Sequence, residues 1–392
     1  MMGQYHVFFV TGEPSGDLHA AGLAQKLVTK GDVRLEAVGG RHLSAAGAKL
    51  FIDSSDWGAI GVAQAIMRLP TYLSAMRRLV RRLKENPPDL LVPVDFGAFN
   101  IRLLKRLEHS GLPPVLYYFP PGSWSRKPRD NSDLARLVDR VATPFPWSEQ
   151  ILQKEGLDAH FVGHPVVDRI QPPPDREQFR KDLGLRDAQF YLGMMPGSRA
   201  VERRLLAPEM VGAANMLSQR GFDVHALYSP PPRPGATDDS SIAKEQLGDR
   251  VTVIADSAEL VNAADLLLTA FGTATLEASA ALCPMIGIYR GTPGMWLQYH
   301  LFGLSTDTYA MPNLIAGKHI VPETIDPSET RADGLADRVQ EYIEHPQRLQ
   351  QMRDDLARVR DVLGDGGAHQ AAADLAWDML NSRDNRPTDT IT

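Results

Sequence analysis

Tyr5-His6-Val7-Phe8-Phe9-Val10-Thr11-Gly12-Glu13-Pro14-Ser15-Gly16-Asp17 reads as a short apolar strand, a glycine-bearing elbow and the start of a helix. The near-continuous apolar run fits a strand covered on both faces. Gly12 tolerates a positive φ at the strand exit, and Ser15 or Asp17 can cap the first helical turn. Two further elbows lie in the second half of the chain: Pro196-Gly197-Ser198-Arg199, and Gly272-Thr273-Ala274-Thr275-Leu276-Glu277. A helix start offers unpaired backbone N–H groups and the positive end of the helix dipole. Three such elbows therefore predict phosphate-handling chemistry in one cleft shared by two halves.

Outward from the first elbow, apolar runs alternate with stretches of helical period, the pattern of an α/β chain built on parallel sheets. The first half offers strands at Tyr5 to Thr11, Leu35 to Val38, Leu90 to Val94, Val115 to Phe119, Arg140 to Ala142 and His160 to Val162, with helices such as Leu18 to Thr29 and Tyr72 to Lys84. The second half restarts with strands near Phe190 to Met195, Asp223 to Tyr228, Val251 to Ile254, Leu266 to Ala270 and Met285 to Tyr289. Between the halves, Gln171-Pro172-Pro173-Pro174-Asp175 stops both helix and sheet, because proline fixes φ and removes a donor. We expect domains at 1–170 and 176–345. Helices over 346–381 would pack back on the first domain or on a partner chain, and a disordered tail would follow over 382–392. Pro230 to Gly235 reads as a surface loop.

Composition narrows the function. A chain of 392 residues, 43% hydrophobic, is long enough for two cores. Its net charge of −6 gives no global attraction to nucleic acid. The single cysteine, Cys283, fits a reducing compartment. No basic region, long apolar segment or cleavage site precedes the first strand, so the reading is cytoplasmic with any membrane contact peripheral. The elbows lack the spacing of a G-x-G-x-x-G fingerprint and the lysine of a P-loop. Arg199 adds a fork matched to phosphate oxygens. Glu277, one turn into its helix, sits where a carboxylate can meet ribose hydroxyls or simply complement the dipole.

Together these residues resemble the lipid-A-disaccharide synthase family, inverting glycosyltransferases of the GT-B architecture with two Rossmann-like domains facing one cleft. The resemblance runs in unbroken order from Val7 to Glu323. It rests on Gly12 to Asp17, Val38-Gly39-Gly40 with Ala46-Gly47, Val94-Asp95 with Phe99-Asn100, and Phe161 to Pro165. It continues through Pro196 to Arg199, Gly272 to Glu277, Pro284-Met285 and Met311 to Gly317. The resemblance implies transfer from UDP-2,3-diacylglucosamine to 2,3-diacylglucosamine 1-phosphate, giving a β-1,6 disaccharide and UDP. Asp95, at a strand's carboxyl end, is the implied base, with capping of the following helix as its alternative role. Pro196, Gly197, Ser198, Arg199, Gly272, Thr273, Ala274, Thr275, Glu277 and Asn313 are the implied donor contacts. Gly12, Glu13, Ser15, Gly16, Asp17, Asn100, Trp124 and His164 are assigned to the acceptor or the cleft, and His164 is equally open to a structural role. The chain has no D-x-D motif, and backbone and arginine donors suffice in principle for the leaving diphosphate. We therefore expect no metal and no cofactor.

The sequence departs from the family pattern around the expected acceptor site. Ala98 stands where a second aspartate is usual, Trp124 is a lone tryptophan, Gln64 replaces a glutamate and Phe271 replaces a small hydroxyl residue. Acceptor identity is thereby left open. Ile60 to Met67 leads into Leu73, Met76, Leu79, Val80 and Leu83, interleaved with Arg77, Arg78, Arg81, Arg82 and Lys84. This is either a basic amphipathic surface for the cytoplasmic face of an anionic inner membrane or an ordinary helix with its stripe in the core. Competing readings are a transferase for another lipid acceptor, a UDP-N-acetylglucosamine 2-epimerase and a non-catalytic sugar-nucleotide-binding protein. A homodimer is compatible with the sequence.

Overall fold

Every residue of the strand Tyr5–Val10 (β1) is buried, because successive side chains feed two different cores. Val7 and Phe9 face one side of a parallel sheet, and Phe8 and Val10 face the other. The computed structural model describes residues 4–55, 57, 62–108, 111–126, 130–231, 239–290 and 308–384, the side chains of 62–69 and 383–384 excepted. Ile60 and Gly61, the Gln64 side chain, the Pro232 to Gly235 part of the expected loop and the tail beyond Asp384 therefore lie outside the description. The chain forms two units, one of Met1–Pro165 with Leu363–Thr392, the other of Val166–Val362.

The first unit runs β1, α1 (Pro14–Val28), β2 (Val33–Gly39), α2 (Arg41–Ala45), β3 (Lys49–Asp53), α3 (Val62–Glu85), β4 (Leu90–Pro93) and α4 (Gly97–Leu107). It continues with β5 (Leu116–Tyr118), α5 (Ser132–Leu137), β6 (Arg140–Thr143), α6 (Pro146–Lys154) and β7 (Ala159–Phe161). The strands lie in the order β3-β2-β1-β4, and single parallel bridges from Leu91 to Val115 and Val94 to Tyr118 carry the sheet on to β5-β6-β7. One face is covered by α1 and by the helix Ala368–Asp384, whose Ala372, Ala376 and Leu380 are buried against Leu23 and Leu27. The other is covered by α3 and α4 through Leu79, Leu83, Leu103 and Leu107.

The second unit runs α7 (Val166–Arg169), α8 (Arg176–Asp182), β8 (Phe190–Met195), α9 (Ala200–Gln219), β9 (Val224–Tyr228), α10 (Ser240–Leu247), β10 (Val251–Val253), α11 (Ser257–Ala263), β11 (Leu266–Ala270), α12 (Thr273–Ala280), β12 (Met285–Ile288) and β13 (Glu323–Thr324). The strand order is β10-β9-β8-β11-β12-β13, with every pairing parallel. Both units therefore place their first strand between two strands reached by crossovers in opposite directions.

Several expectations need correction. The division falls before the proline run, because Gln171 is tied into the second unit: its carbonyl accepts from Asn262 Nδ2 at 3.0 Å and its Oε1 from Arg360 Nη2 at 2.8 Å. The C-terminal helices part company. Pro346–Val362 stays in the second unit, where Met352 Sδ accepts the Met285 N–H, and only Ala368–Asp384 joins the first. That helix runs three residues, Ser382 to Asp384, into the segment expected to be disordered. The half-exposed edge strand β3 and the two-residue β13 were not expected, being too short or too polar to stand out. In α3 the stripe Ala75, Met76, Leu79 and Leu83 is core. Arg82 turns inward, its Nε 3.0 Å from Glu36 Oε1, leaving Arg77, Arg78, Arg81 and Lys84 on the exposed face. Among the described residues no helix is long and apolar enough to cross a membrane.

Asp17 is the clearest reassignment. The first turn of α1 has no side-chain cap. The buried Asp17 carboxylate instead accepts the backbone N–H groups of Gly40 at 2.7 Å, His42 at 2.8 Å and Leu43 at 3.4 Å, thereby capping α2 and fixing the end of β2. Replacing it leaves those donors buried and unpaired. We predict that Asp17→Ala lowers the unfolding free energy by about 1.5–3 kcal/mol, read from the urea midpoint; an unchanged midpoint would remove this role.

Candidate active site

Parallel pairing of β1 with both β2 and β4 makes the chain depart from the carboxyl ends of β1 and β4 in opposite directions. The crevice this leaves is where open α/β sheets receive ligands. In the first unit, Gly12 to Gly16 follow β1 and Asp95 to Gly97 follow β4, so two separate sequence motifs meet at one switch point.

Asp95 and Phe96 both have left-handed backbones, with φ of 49° and 48°. For non-glycine residues this costs on the order of 1–2 kcal/mol each. The surroundings impose it. The Asp95 N–H donates to the Tyr118 carbonyl at 3.0 Å, while its own carbonyl accepts from Asn100 Nδ2 and from the Tyr117 hydroxyl, each at 2.8 Å. The Phe96 ring stacks on Phe99 with centroids 5.3 Å apart, and it lies so close over Gly12 that a Cβ there would collide with it. Burial raises the Asp95 carboxyl from 3.8 to about 6; the charge of Glu13 adds to this and the Phe96 N–H opposes it. Phe96, at the N-cap of α4, offers no side-chain cap, and the Asp95 carboxyl accepts the Phe96 N–H. A carboxyl raised in this way lies in the range that general acids and bases use.

The other residues assigned to this region divide into exposed and spent groups. Glu13 is exposed, Ser15 is half-buried, and Gly16 packs under Thr11. Asn100 is fully buried, and its amide nitrogen serves the carbonyls of Asp95 and Val10, so it supports the site from beneath. Trp124 is 46% exposed, at a turn held by Trp147 Nε1 donating to the Ser123 carbonyl. His164 is buried among His19, Phe119 and Phe145. Burial and the neighbouring His369 push it down to about 3, which keeps the imidazole neutral.

The second unit repeats the switch point between β8 and β11. Pro196 is buried, Gly197 has φ of 105°, and Ser198 and Arg199 are exposed at the start of the 20-residue helix α9. The Arg199 Nη1 donates to Glu202 at 2.8 Å, so the fork is steadied from its own helix. Across the switch point, Gly272 has φ of 139°, a backbone only glycine adopts readily, and Thr273 is exposed at the first position of α12. Thr275 is buried, and its hydroxyl donates to the Gly272 carbonyl at 2.8 Å. The Phe271 ring stacks between Tyr289 and Tyr309, at 6.4 and 5.7 Å, forming an aromatic wall next to the elbow.

Two implied donor contacts have hydrogen-bond partners within the chain. Asn313 is buried with its amide fully used: Nδ2 donates to the Val321 carbonyl and Glu323, and Oδ1 accepts from the N–H groups of Ile320 and Val321. It locks the loop from Ile320 to Glu323 onto its own helix. Glu277 is buried, and its carboxylate accepts from Arg169 Nη1 at 3.2 Å. Burial pushes its carboxyl up, Arg169 and Ser257 oppose this, and Asp256 adds to it.

Sequence reasoning missed Arg203. Its buried guanidinium clamps Asp239 through Nε at 2.8 Å and Nη2 at 2.7 Å, and it donates to the Gly197 carbonyl at 3.0 Å and the Ser229 carbonyl at 2.7 Å. It ties the β8 elbow to the end of β9. Its signal was present, since it lies one turn beyond Arg199 on the same helix.

The sequence profile of the family described as lipid-A-disaccharide synthetase matches residues 7–375. The lipid-A-disaccharide synthase of Geobacter metallireducens is 32% identical over 383 residues, covering 96% of this chain and 98% of that one. The protein of the same name from Myxococcus xanthus is 32% identical over 380 residues, covering 95% and 97%. Among solved structures, an S. aureus MnaA–UDP co-structure has a TM-score of 0.61 at 15% identity, covering 98% of this chain and all of that one. A putative UDP-N-acetylglucosamine 2-epimerase from Listeria monocytogenes has a TM-score of 0.58 at 16% identity over the whole of both chains. These structural likenesses show the GT-B fold alone.

Arg203 and Arg199 should separate in stability. Arg203→Met strands the buried Asp239 and lowers the unfolding free energy by about 3–5 kcal/mol, whereas Arg199→Met, on an exposed side chain, changes it by no more than about 0.5 kcal/mol. Equal denaturation midpoints for the two variants would contradict the clamp.

Proposed function

Since the chain belongs to the lipid-A-disaccharide synthetase family, we propose that it joins UDP-2,3-diacylglucosamine to 2,3-diacylglucosamine 1-phosphate with inversion, releasing UDP. The observation that carries the mechanism is the strained, half-buried Asp95 with its carboxyl raised to about 6. In this reading the Asp95 carboxylate takes the proton of the acceptor 6-hydroxyl as that oxygen attacks the anomeric carbon. The carbon–oxygen bond to UDP breaks on the opposite face, and its electron pair goes to the β-phosphate oxygen. The new bond is then β from an α donor. Support for donor binding comes from the second unit, where the helix starts at Ser198 to Ala200 and Gly272 to Thr273 present backbone N–H groups and Arg199 a guanidinium. This donor set suits a diphosphate without a divalent ion, so transfer is proposed to run unchanged in the presence of a chelator. In the first unit, the exposed Trp124 is proposed to meet the acceptor.

For access to acylated substrates we propose that the first unit rests on an anionic membrane surface. Leu73 is 37% exposed. With Arg77, Val80, Arg81, Lys84 and Arg106 it lines a surface groove of about 500 Å³, in which Glu85 is the one acid among the described residues. Such a groove offers phosphate headgroups several cations and an apolar floor. Charge reversal at Arg77, Arg81 and Lys84 is expected to cut sedimentation with vesicles of phosphatidylglycerol by about tenfold or more. Unchanged partitioning would exclude this face.

The base makes a pH-dependent prediction in two measurements. Transfer needs the ionised carboxylate, so kcat/KM should rise with pH through about 6 and then level off, and Asp95→Asn should lose roughly 10²–10⁴-fold in rate at neutral pH. Stability should move the other way. The folded chain keeps this proton up to about pH 6, whereas the unfolded chain releases it near 3.8. The native state therefore binds more protons in that window and loses stability as pH rises through it. Asp95→Asn, which never ionises, should gain on the order of 3 kcal/mol relative to wild type above pH 6. A fully active Asp95→Asn enzyme would end the assignment.

A further inference from the structure

β5 lies in the middle of the first unit's sheet and reads as pure core, yet it carries a tyrosine whose hydroxyl is fully enclosed. Tyr117 is among the largest side chains with no exposed surface. Packing alone would be served equally by phenylalanine, and an enclosed hydroxyl without a partner is destabilising. Its partner is the main-chain carbonyl of Asp95, 2.8 Å away. The adjacent residue of the same strand takes the other side of that backbone unit, the Tyr118 carbonyl accepting the Asp95 N–H at 3.0 Å. From α4, Asn100 Nδ2 reaches the same Asp95 carbonyl at 2.8 Å.

One peptide oxygen thus receives two buried side-chain donors at the point where the backbone enters two successive left-handed residues. Each of those residues is disfavoured for an L side chain, and rotation of the intervening peptide, which resets φ of Phe96, would relieve the second of them. Rotation would also turn the Asp95 carbonyl away from its two donors and leave two buried polar groups unpaired, which costs more than the strain it releases. Burial holds the Tyr117 hydroxyl far above its ordinary pKa; the Asn100 hydrogen bond opposes this and the Asp95 charge adds to it. The phenol is therefore a permanent donor.

We propose that Tyr117 is a positioning residue for the transfer reaction: with Asn100, it pins the Asp95 carbonyl and so keeps the Asp95 carboxyl aimed and shielded from water. The proposal rests on the reading of Asp95 as the base. Tyr117 touches no substrate and acts only through the backbone of Asp95.

The test is Tyr117→Phe, assayed with UDP-2,3-diacylglucosamine and 2,3-diacylglucosamine 1-phosphate beside Asp95→Asn. The expected result is a fall in kcat of about 10–100-fold with both KM values held within about twofold. The acid limb of kcat/KM should move to lower pH by about half a unit or more as the carboxyl gains water. The same downward shift should appear in the substrate-free protein, followed through the carboxyl carbon of Asp95 by NMR of aspartate-labelled enzyme. Asn100→Ala removes the second donor from a different element and should shift that titration in the same direction, which keeps the test open if either variant folds poorly. Wild-type kcat and titration in Tyr117→Phe, with Asp95→Asn inactive, would overturn the positioning role and leave the base in place. A slowed Tyr117→Phe with an unshifted Asp95 titration would reduce Tyr117 to a structural residue and equally overturn the proposal. Full activity in Asp95→Asn would overturn both readings together.

Discussion

Parallel pairing of one central strand with neighbours on both sides is the constraint from which the rest of each unit follows. In the first unit β1 lies between β2 and β4, and in the second β8 lies between β9 and β11. Parallel neighbours require crossovers, right-handed crossovers place helices on both faces, and the reversal of winding leaves a gap only at the carboxyl ends of the central pair. Every exposed elbow discussed above occupies one of those two gaps. The chemistry is therefore located by topology before any side chain is considered, and side chains then decide what each gap accepts.

In the first unit they make a high-energy carboxylate. Burial and the charge of Glu13 work against Asp95 as an ionised residue, and its left-handed backbone is held in place by Tyr117, Asn100 and the Tyr118 carbonyl. Backbone strain of this kind, offset by the surrounding structure, is the pattern on which the proposal of Asp95 as base draws. The second unit solves a different problem. Its elbows are stiffened by polar clamps, Arg203 with Asp239 and Asn313 with Glu323, so that main-chain donors keep their direction while the exposed residues stay open. Clamped amides of this kind can stabilise charge without reorganising when it appears.

The sheets were legible in the sequence because buried parallel strands are uninterrupted apolar runs, and Phe190–Met195 and Leu266–Ala270 match to the residue. Edge strands such as Lys49–Asp53 were not legible, since a half-exposed strand carries no such run. The elbows could be seen because glycine, proline and capping residues mark strand exits. The roles of individual polar residues could not. Asp17, Asn100 and Asn313 have the composition of ligand-binding residues, and each is consumed by backbone groups brought close only by the fold. Conversely, Tyr117 and Arg203 were hidden as strand core and as one more helical arginine, because what distinguishes them is the partner, and partners are tertiary facts.

The helix Ala368–Asp384 closes one apolar face of the first unit, although Val166–Val362 separate it in the chain from the rest of that unit. During synthesis at about 5–20 residues per second, Leu23, Leu27 and Val92 must wait on the order of tens of seconds for their cover. The leading unit is consequently born with an open greasy flank, while the trailing unit can close as soon as it emerges. Biogenesis of this molecule thus runs against its numbering: the unit whose strands are made early is the last to be finished.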